Sequence, residues 1–437
     1  MRILYISSRP PKHSAGLAMD QMRSLVEAGH QVDFLTKYSF EGQESNMYSV
    51  YEKNWIDKLV DLRQKYPILH YLTNLKFIVG RKNLTFNNGI KLTAPNESQP
   101  PVPVEDVLNC IKKEYDLVIT LFLQDFISSL TLKAIYEKLK CPIIIRSVDM
   151  EPFTGGCYYF LDCDHYQHNC GKCPALKSDN ENDQTRRNFL IKKESYASTN
   201  YAYCCNNWMK RFALKSNMFE PDRIFISTAV VDENKFFQRP IEECRKEFAI
   251  PQNKTFILFA RYQNKAIVSK GFSHLIDAVN EWGKDISEEE KSKILVLIAG
   301  NRDTDPLYEM SIETKYVGLL DTENLIRAYS VATAFISPSI DDAGPSMVNQ
   351  SIMCSTPVIS YNIGTAIDVI ENGKSGFKAD EIKAHQLAEC IGKLYSLSEE
   401  EYLELRKTTH AIAMEKHSLK SFAIFTERVY NSIRDRG

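Results

Sequence analysis

The chain has 437 residues, 43% of them hydrophobic, enough to bury core for about two or three domains. Its formal charge of −2 excludes a globally basic nucleic-acid binder, so an anionic ligand has to be met by local cations. No apolar run reaches the roughly 18 residues of a transmembrane helix.

From the first residue, "RILYISS", "MDQMRSLVEAG" and "QVDFLT" alternate an apolar run with a helix-period stretch. "MRILYISS" enters that pattern without a basic n-region or a cleavage site, which predicts a cytoplasmic protein. Residues 44–104 interrupt the alternation. Between 53 and 92, Lys53, Lys58, Arg63, Lys65, Lys76, Arg81, Lys82 and Lys91 outnumber Asp57 and Asp61. That stretch reads as a solvated face or as an attachment to anionic lipid. The rhythm resumes with "DLVITLF", "SSLTLKAIYEKLK" and "PIIIRSV", predicting parallel strands joined by crossover helices.

A second insertion, 154–180, carries Cys157, Cys163, Cys170 and Cys173, the last pair as Cys-x-x-Cys. Four thiolates would satisfy tetrahedral zinc, so a structural zinc is expected; reduced packed thiols or two disulfides are the other readings. Residues 228–253 read as a linker. The alternation then restarts at "TFILFAR" and runs through "KILVLIAG", "TAFISPS" and "TPVISYN". Phe422, Phe425, Val429 and Ile433 form the apolar stripe of a closing helix.

In open parallel sheets, ligands sit outside the carboxyl ends of strands. On the first such edge Gly16 precedes a helix, where backbone can approach an anion. On the second edge Arg261 ends a strand and Lys270 precedes Gly271, a pairing of fork and point charge that suits a diphosphate. In "DDAGPSMVNQ" the first amides of a helix, near Ser346, Met347 and Val348, would complete an anion cradle. Asp342 would stand ahead of that helix and Gln350 on its second turn.

These stretches together resemble the retaining nucleotide-sugar glycosyltransferases of glycosyltransferase family 4, of the bacterial surface-polysaccharide type. "SPSIDDAGPSMVNQSIMCSTPVIS" is similar to the family's signature of two glutamates, and "RYQNKAIVSKG" to its Arg and Lys pair. The resemblance implies the GT-B fold: two Rossmann-like doubly wound α/β domains facing a central cleft. The expected divisions are an acceptor domain over 1–230, a nucleotide-sugar donor domain over 231–415 and a closing helix over 416–437. Arg261 and Lys270 would hold the diphosphate, Asp342 would touch the donor sugar, and Gln350 would bond the ribose. The backbone around Val317 would face the base.

Two departures accompany the likeness. Asp342 and Gln350 replace glutamates, and Val148 stands where similar enzymes often have His, leaving Asp149 as the remaining catalytic candidate there. The implied activity is retaining transfer from a nucleoside diphosphate sugar to a glycan or polyprenyl-linked acceptor in surface polysaccharide synthesis. It implies no catalytic metal, no nucleic acid, and a cytoplasmic location with peripheral contact at the inner face of the membrane. A GT-B-fold sugar-nucleotide epimerase and a degenerate, non-catalytic sugar-nucleotide-binding subunit are the alternatives.

Overall fold

The computed structural model describes residues 1–10, 17–52, 96–197, 200–227, 229–262, 268–300, 309–344 and 346–436. Gly16 and the basic residues between 53 and 92 lie outside these.

The chain forms two compact units. The first takes Met1–Cys204, Lys210–Ile226 and Glu427–Gly437; the second takes Cys205–Met209 and Ser227–Thr426. In the first unit, β1 (Arg2–Ser7), β2 (Gln31–Tyr38), β3 (Met47–Tyr51), β4 (Leu117–Thr120), β5 (Ile143–Ser147), β6 (Asn200–Cys204) and β7 (Ile224–Ile226) make one sheet. Its order is β3-β2-β1-β4-β5-β6-β7, and its strand pairings among the described residues are all parallel. The start of the 44–104 insertion is thus an edge strand, because Met47–Tyr51 pairs with β2 from Phe34 to Tyr38.

The second unit repeats the plan with β8 (Phe256–Arg261), β9 (Ile294–Ala299), β10 (Thr314–Tyr316), β11 (Ala334–Ser337), β12 (Val358–Tyr361) and β13 (Gly376–Ala379). The order is β10-β9-β8-β11-β12-β13. A parallel sheet buries both faces, which is why its strands are continuous apolar runs. Ile257, Phe259, Leu295 and Leu297 pack on one face, whereas Leu258, Ala260, Val296 and Ile298 pack on the other. That is the period of 2 expected of strands.

Of the stretch expected to be a linker, the described residues 229–253 are not free. Val231, Phe236, Cys244, Phe248 and Ile250 join the core of the second unit, and Ile241–Glu247 is a helix there. The closing helix spans Leu419–Arg434, and Phe422, Val429 and Ile433 are buried along its stripe. From Glu427 onward it belongs to the first unit, where Glu427 meets His30 Nε2 at 3.0 Å.

Candidate functional site

In each sheet the chain reverses its direction of travel between two neighbouring strands, β1 and β4 in the first and β8 and β11 in the second. Such a switch point leaves a crevice at the strands' carboxyl ends. Arg261 ends β8 and is exposed at that edge of the second unit. The chain then enters the helix Phe272–Trp282 through Lys270 and Gly271. Gly271 has a φ of 63°, and a Cβ there would lie 1.9 Å from the Pro338 carbonyl oxygen, so only glycine lets this turn press against the loop after β11. Ile340 N–H also donates to Ser269 O at 2.9 Å, tying the two loops together.

This tight approach delivers Lys270 to Asp342. Lys270 Nζ donates to Asp342 Oδ2, and the other oxygen accepts the Gly344 N–H at 3.2 Å. Asp342 is buried while the Lys270 side chain remains 37% exposed, so the cation keeps a face toward solvent. The helix Ser346–Met353 starts beside them with Ser346 exposed and Met347 and Val348 buried. Arg261 Nη1 lies 4.0 Å from Met347 Sδ, which places the guanidinium by that helix's first turn. The structure therefore brings together Arg261, Lys270, Asp342, Ser346, Met347 and Val348.

Gln350 is half-buried on the same helix, and its Oε1 accepts the Tyr329 hydroxyl at 3.3 Å. Burial raises the Tyr329 pKa well above its ordinary value, so this hydroxyl stays a donor. A carbonyl oxygen has two lone pairs, and Gln350 keeps one for a second donor. Val317 packs on the core next to β10, and its amide donates to Ile298 O at 2.9 Å.

Two residues of this site carry no sequence signal. Asn206, fully buried, donates to Ala343 O at 2.5 Å from 137 positions away, and Cys205 Sγ lies 3.0 Å from the same oxygen. They clamp the loop between Asp342 and the helix. A Cβ on Gly344 would come within 3.3 Å of Asn206 Nδ2 and 3.1 Å of Thr365 Oγ1.

In the first unit, Asp149 lies just past β5 beside half-buried Val148. Its Oδ1 accepts the Glu151 N–H at 3.0 Å. Burial, reinforced by the Glu151 charge, pushes its pKa up to about 7, against the pull of Lys192 and Arg9. Glu97, Glu151 and Lys192 form a buried network that sequence reading did not single out. Lys192 Nζ donates to the Glu151 carboxylate, to Glu151 O at 2.9 Å and to Thr154 O at 3.2 Å, and lies 4.0 Å from Glu97 Oε1. Glu97 in turn accepts Ser129 N–H at 2.8 Å and its hydroxyl at 2.7 Å.

Cys157, Cys163, Cys170 and Cys173 are free thiols lining one cavity of about 20 Å³. Burial, with the charges of Cys173 and Cys163 adding to it, pushes the Cys157 pKa up to about 12. Among the described residues no group of three or more His, Cys, Asp or Glu side chains could hold a metal ion, so the structural zinc expected at these four cysteines has no site here, and they are packed, reduced thiols.

Residues 240–411 match the family described as Glycosyl transferases group 1. Over 196 residues the chain is 23% identical to alpha-maltose-1-phosphate synthase of Mycolicibacterium smegmatis, covering 40% of this chain and 48% of that one. The chain thus spans about half the length of that curated relative. Sucrose-phosphate synthase from Thermosynechococcus elongatus superposes with a TM-score of 0.64 at 13% identity, covering 100% of both chains. Anabaena HepE in complex with UDP and glucose gives 0.60 at 11% identity, over 99% of this chain and 100% of that one. WaaG, described as a glycosyltransferase involved in lipopolysaccharide biosynthesis, gives 0.57 at 12% identity over 98% and 99%. The fold is GT-B, with two Rossmann-like α/β units in one chain. The stretch that matches the group 1 family, 240–411, lies within the second unit.

Proposed function

We propose that the protein is a retaining glycosyltransferase of family 4. It moves a sugar from a nucleoside diphosphate donor to a glycan or polyprenyl-linked acceptor in surface polysaccharide synthesis. The reading rests on one observation, the Lys270–Asp342 pair beside Arg261 and a helix N-terminus at the β8/β11 switch point. As the glycosidic bond breaks, negative charge grows on the leaving diphosphate, and fixed cations and amide dipoles are most effective against such developing charge. Lys270 has three N–H donors; Asp342 takes one and leaves two for phosphate oxygens. Asp342 fixes the direction of that ammonium and faces the sugar end of the donor, while Gln350 receives a ribose hydroxyl.

The group 1 family match over this region supports a sugar-transfer chemistry, and HepE's complex with UDP and glucose supports a nucleotide-sugar donor. Asp149 is assigned as the group that orients or deprotonates an acceptor hydroxyl. No described helix is long and apolar enough to cross a membrane. The assigned location is cytoplasmic, with peripheral contact at the inner face, where a polyprenyl-linked acceptor would be met.

The test is a thermal-shift screen of nucleoside diphosphates and their sugars, followed by transfer assays on polyprenyl-linked glycans with NMR of the product anomer. One nucleotide family should raise the melting temperature, and its sugar should appear on an acceptor with the donor's configuration. If no nucleotide stabilises the protein the donor site is wrong, and inversion at the anomeric carbon would overturn the mechanism.

A further inference from the structure

Lys192 sits on the helix Gln184–Tyr196 with its side chain 2% exposed, and all three of its N–H donors are used within the protein. They reach the Glu151 carboxylate, Glu151 O at 2.9 Å and Thr154 O at 3.2 Å. One ammonium thus bonds the first residue of the turn Glu151–Phe153 and the residue that follows the turn. A buried ion pair is a costly fastening, because desolvating the charges takes back much of what their attraction gives, and apolar side chains of similar volume often hold a fold as well. Stability alone therefore does not account for charge at this place.

The turn that Lys192 holds carries the amide that holds Asp149. Asp149 Oδ1 accepts the Glu151 N–H at 3.0 Å, so the residue gripped at its carbonyl and its carboxylate is the one that orients Asp149. Glu151 and Lys192 are buried, whereas Asp149 is half-buried and can be reached. Among the described residues Asp149 Oδ2 has no hydrogen-bond partner. One oxygen is fixed and the other is left for a hydroxyl. The support extends beyond Lys192: Glu97 N–H donates to Asn188 Oδ1 at 3.1 Å, and Asn188 Nδ2 donates to Gly155 O at 3.2 Å, one residue past Thr154. Glu97 Oε1 itself lies 4.0 Å from the ammonium.

The charges that face Asp149 come from three elements: Glu151 on its own loop, Lys192 on the helix and Arg9 after β1. Tyr196, kept neutral by burial, faces Glu97 and Glu151. Burial, and after it the Glu151 charge, push the Asp149 pKa up to about 7 against the Glu151 amide, Lys192 and Arg9.

We propose that Glu151 and Lys192 are positioning residues for Asp149: Lys192 fixes the Glu151 residue, and the Glu151 amide fixes Oδ1, so that Oδ2 meets the acceptor hydroxyl in one orientation. The inference rests on the reading of Asp149 as the group that orients or deprotonates that hydroxyl. Neither positioning residue touches the acceptor. The Glu151 charge also raises the pH at which Asp149 exchanges its proton, and Lys192 keeps that charge in place by balancing it.

The test uses the full chain. Glu151→Gln keeps the backbone bonds and an oxygen for Lys192 while removing the negative charge, so the Asp149 titration midpoint should fall by about one pH unit. That midpoint is read without a transfer assay, from the pH dependence of the stability difference between chains with Asp149 and with Asp149→Asn, each with and without Glu151→Gln. Lys192→Met should slow transfer about 10- to 100-fold at an unchanged donor KM. In the Asp149→Asn chain the same change should alter the residual rate less than about twofold, because a positioning residue is silent once its target is gone. A merely structural lysine would slow both chains alike. An unmoved midpoint in Glu151→Gln, or equal losses from Lys192→Met with and without Asp149, overturns the inference; should Lys192→Met fail to fold, the Glu151→Gln midpoint decides alone. A displaced midpoint in a chain that transfers no sugar overturns instead the reading of Asp149 as the acceptor-side group.

Discussion

Asp149 and Asp342 stand just past the carboxyl ends of parallel strands, one in each unit, and their surroundings are opposite. Asp342 meets the Lys270 ammonium and the Gly344 amide. Asp149 meets burial and a second carboxylate, and its pKa rises to about 7. The sheets share a strand order, so the difference comes from the loops: one brings a cation to the carboxylate, and the other spends its lysine on the neighbouring Glu151. A carboxylate paired with a cation is suited to hold charge in place, whereas one poised near neutrality is suited to exchange a proton.

Removing each lysine separates these roles. Lys192→Met leaves Glu97 and Glu151 buried without their cation, and breaking such a buried pair costs about 3–5 kcal/mol. Denaturant unfolding should show that loss, with nucleotide affinity of the folded protein unchanged. Lys270→Ala acts the other way. Its charge-assisted contacts are worth about 1.5–3 kcal/mol, so diphosphate affinity by calorimetry should fall about 10- to 100-fold. Adding Asp342→Asn should recover any stability lost with Lys270 but not the affinity. An unchanged affinity in Lys270→Ala removes this residue from the site.

The carboxylate of Asp149 is tested through pH. Its folded pKa, about 7, lies above the roughly 3.9 of an unfolded Asp, so the folded state holds the proton more tightly. Its contribution to stability is full below about pH 4 and is lost as pH rises through about 7. Activity needs the opposite form if Asp149 accepts a proton, so the transfer rate should climb through about pH 7. Asp149→Asn should abolish that limb and flatten the stability change over the same window. A limb that persists in the variant assigns the titration to another group.

The parallel sheets were legible because strands buried on both faces write themselves as apolar runs, and "TFILFAR" and "KILVLIAG" became β8 and β9. Lys270 and Asp342 were legible because a glycine turn and a helix start mark a strand's carboxyl edge. Their direct pairing was not, since it depends on how closely Gly271 approaches Pro338. Asn206 and Cys205 were invisible for a related reason: they reach Ala343 from a distant segment with no local pattern. The stretch 228–253 misled because its polar residues suggested a linker, while Phe236, Cys244 and Phe248 were spaced to reach the core. Lys192 and Glu151 gave no signal because buried charges look like surface charges until their partners are known.

The smallest expected effect concerns the residue beside Gln350. Asn349 is buried on the helix Ser346–Met353, and among the described residues neither its Nδ2 nor its Oδ1 has a hydrogen-bond partner. An unmet buried amide costs about 1–3 kcal/mol, and Asn is also a weaker helix former than Ala. Asn349→Ala removes both penalties and leaves a small void, so a net gain of about 1 kcal/mol is expected, read as a melting temperature higher by about 2–4 °C. Donor affinity should not change, because Gln350 and the helix's first turn carry the contacts assigned to this helix. If affinity falls while stability rises, the amide finds its partner on the nucleotide, and the ribose end of the site is two residues wide rather than one.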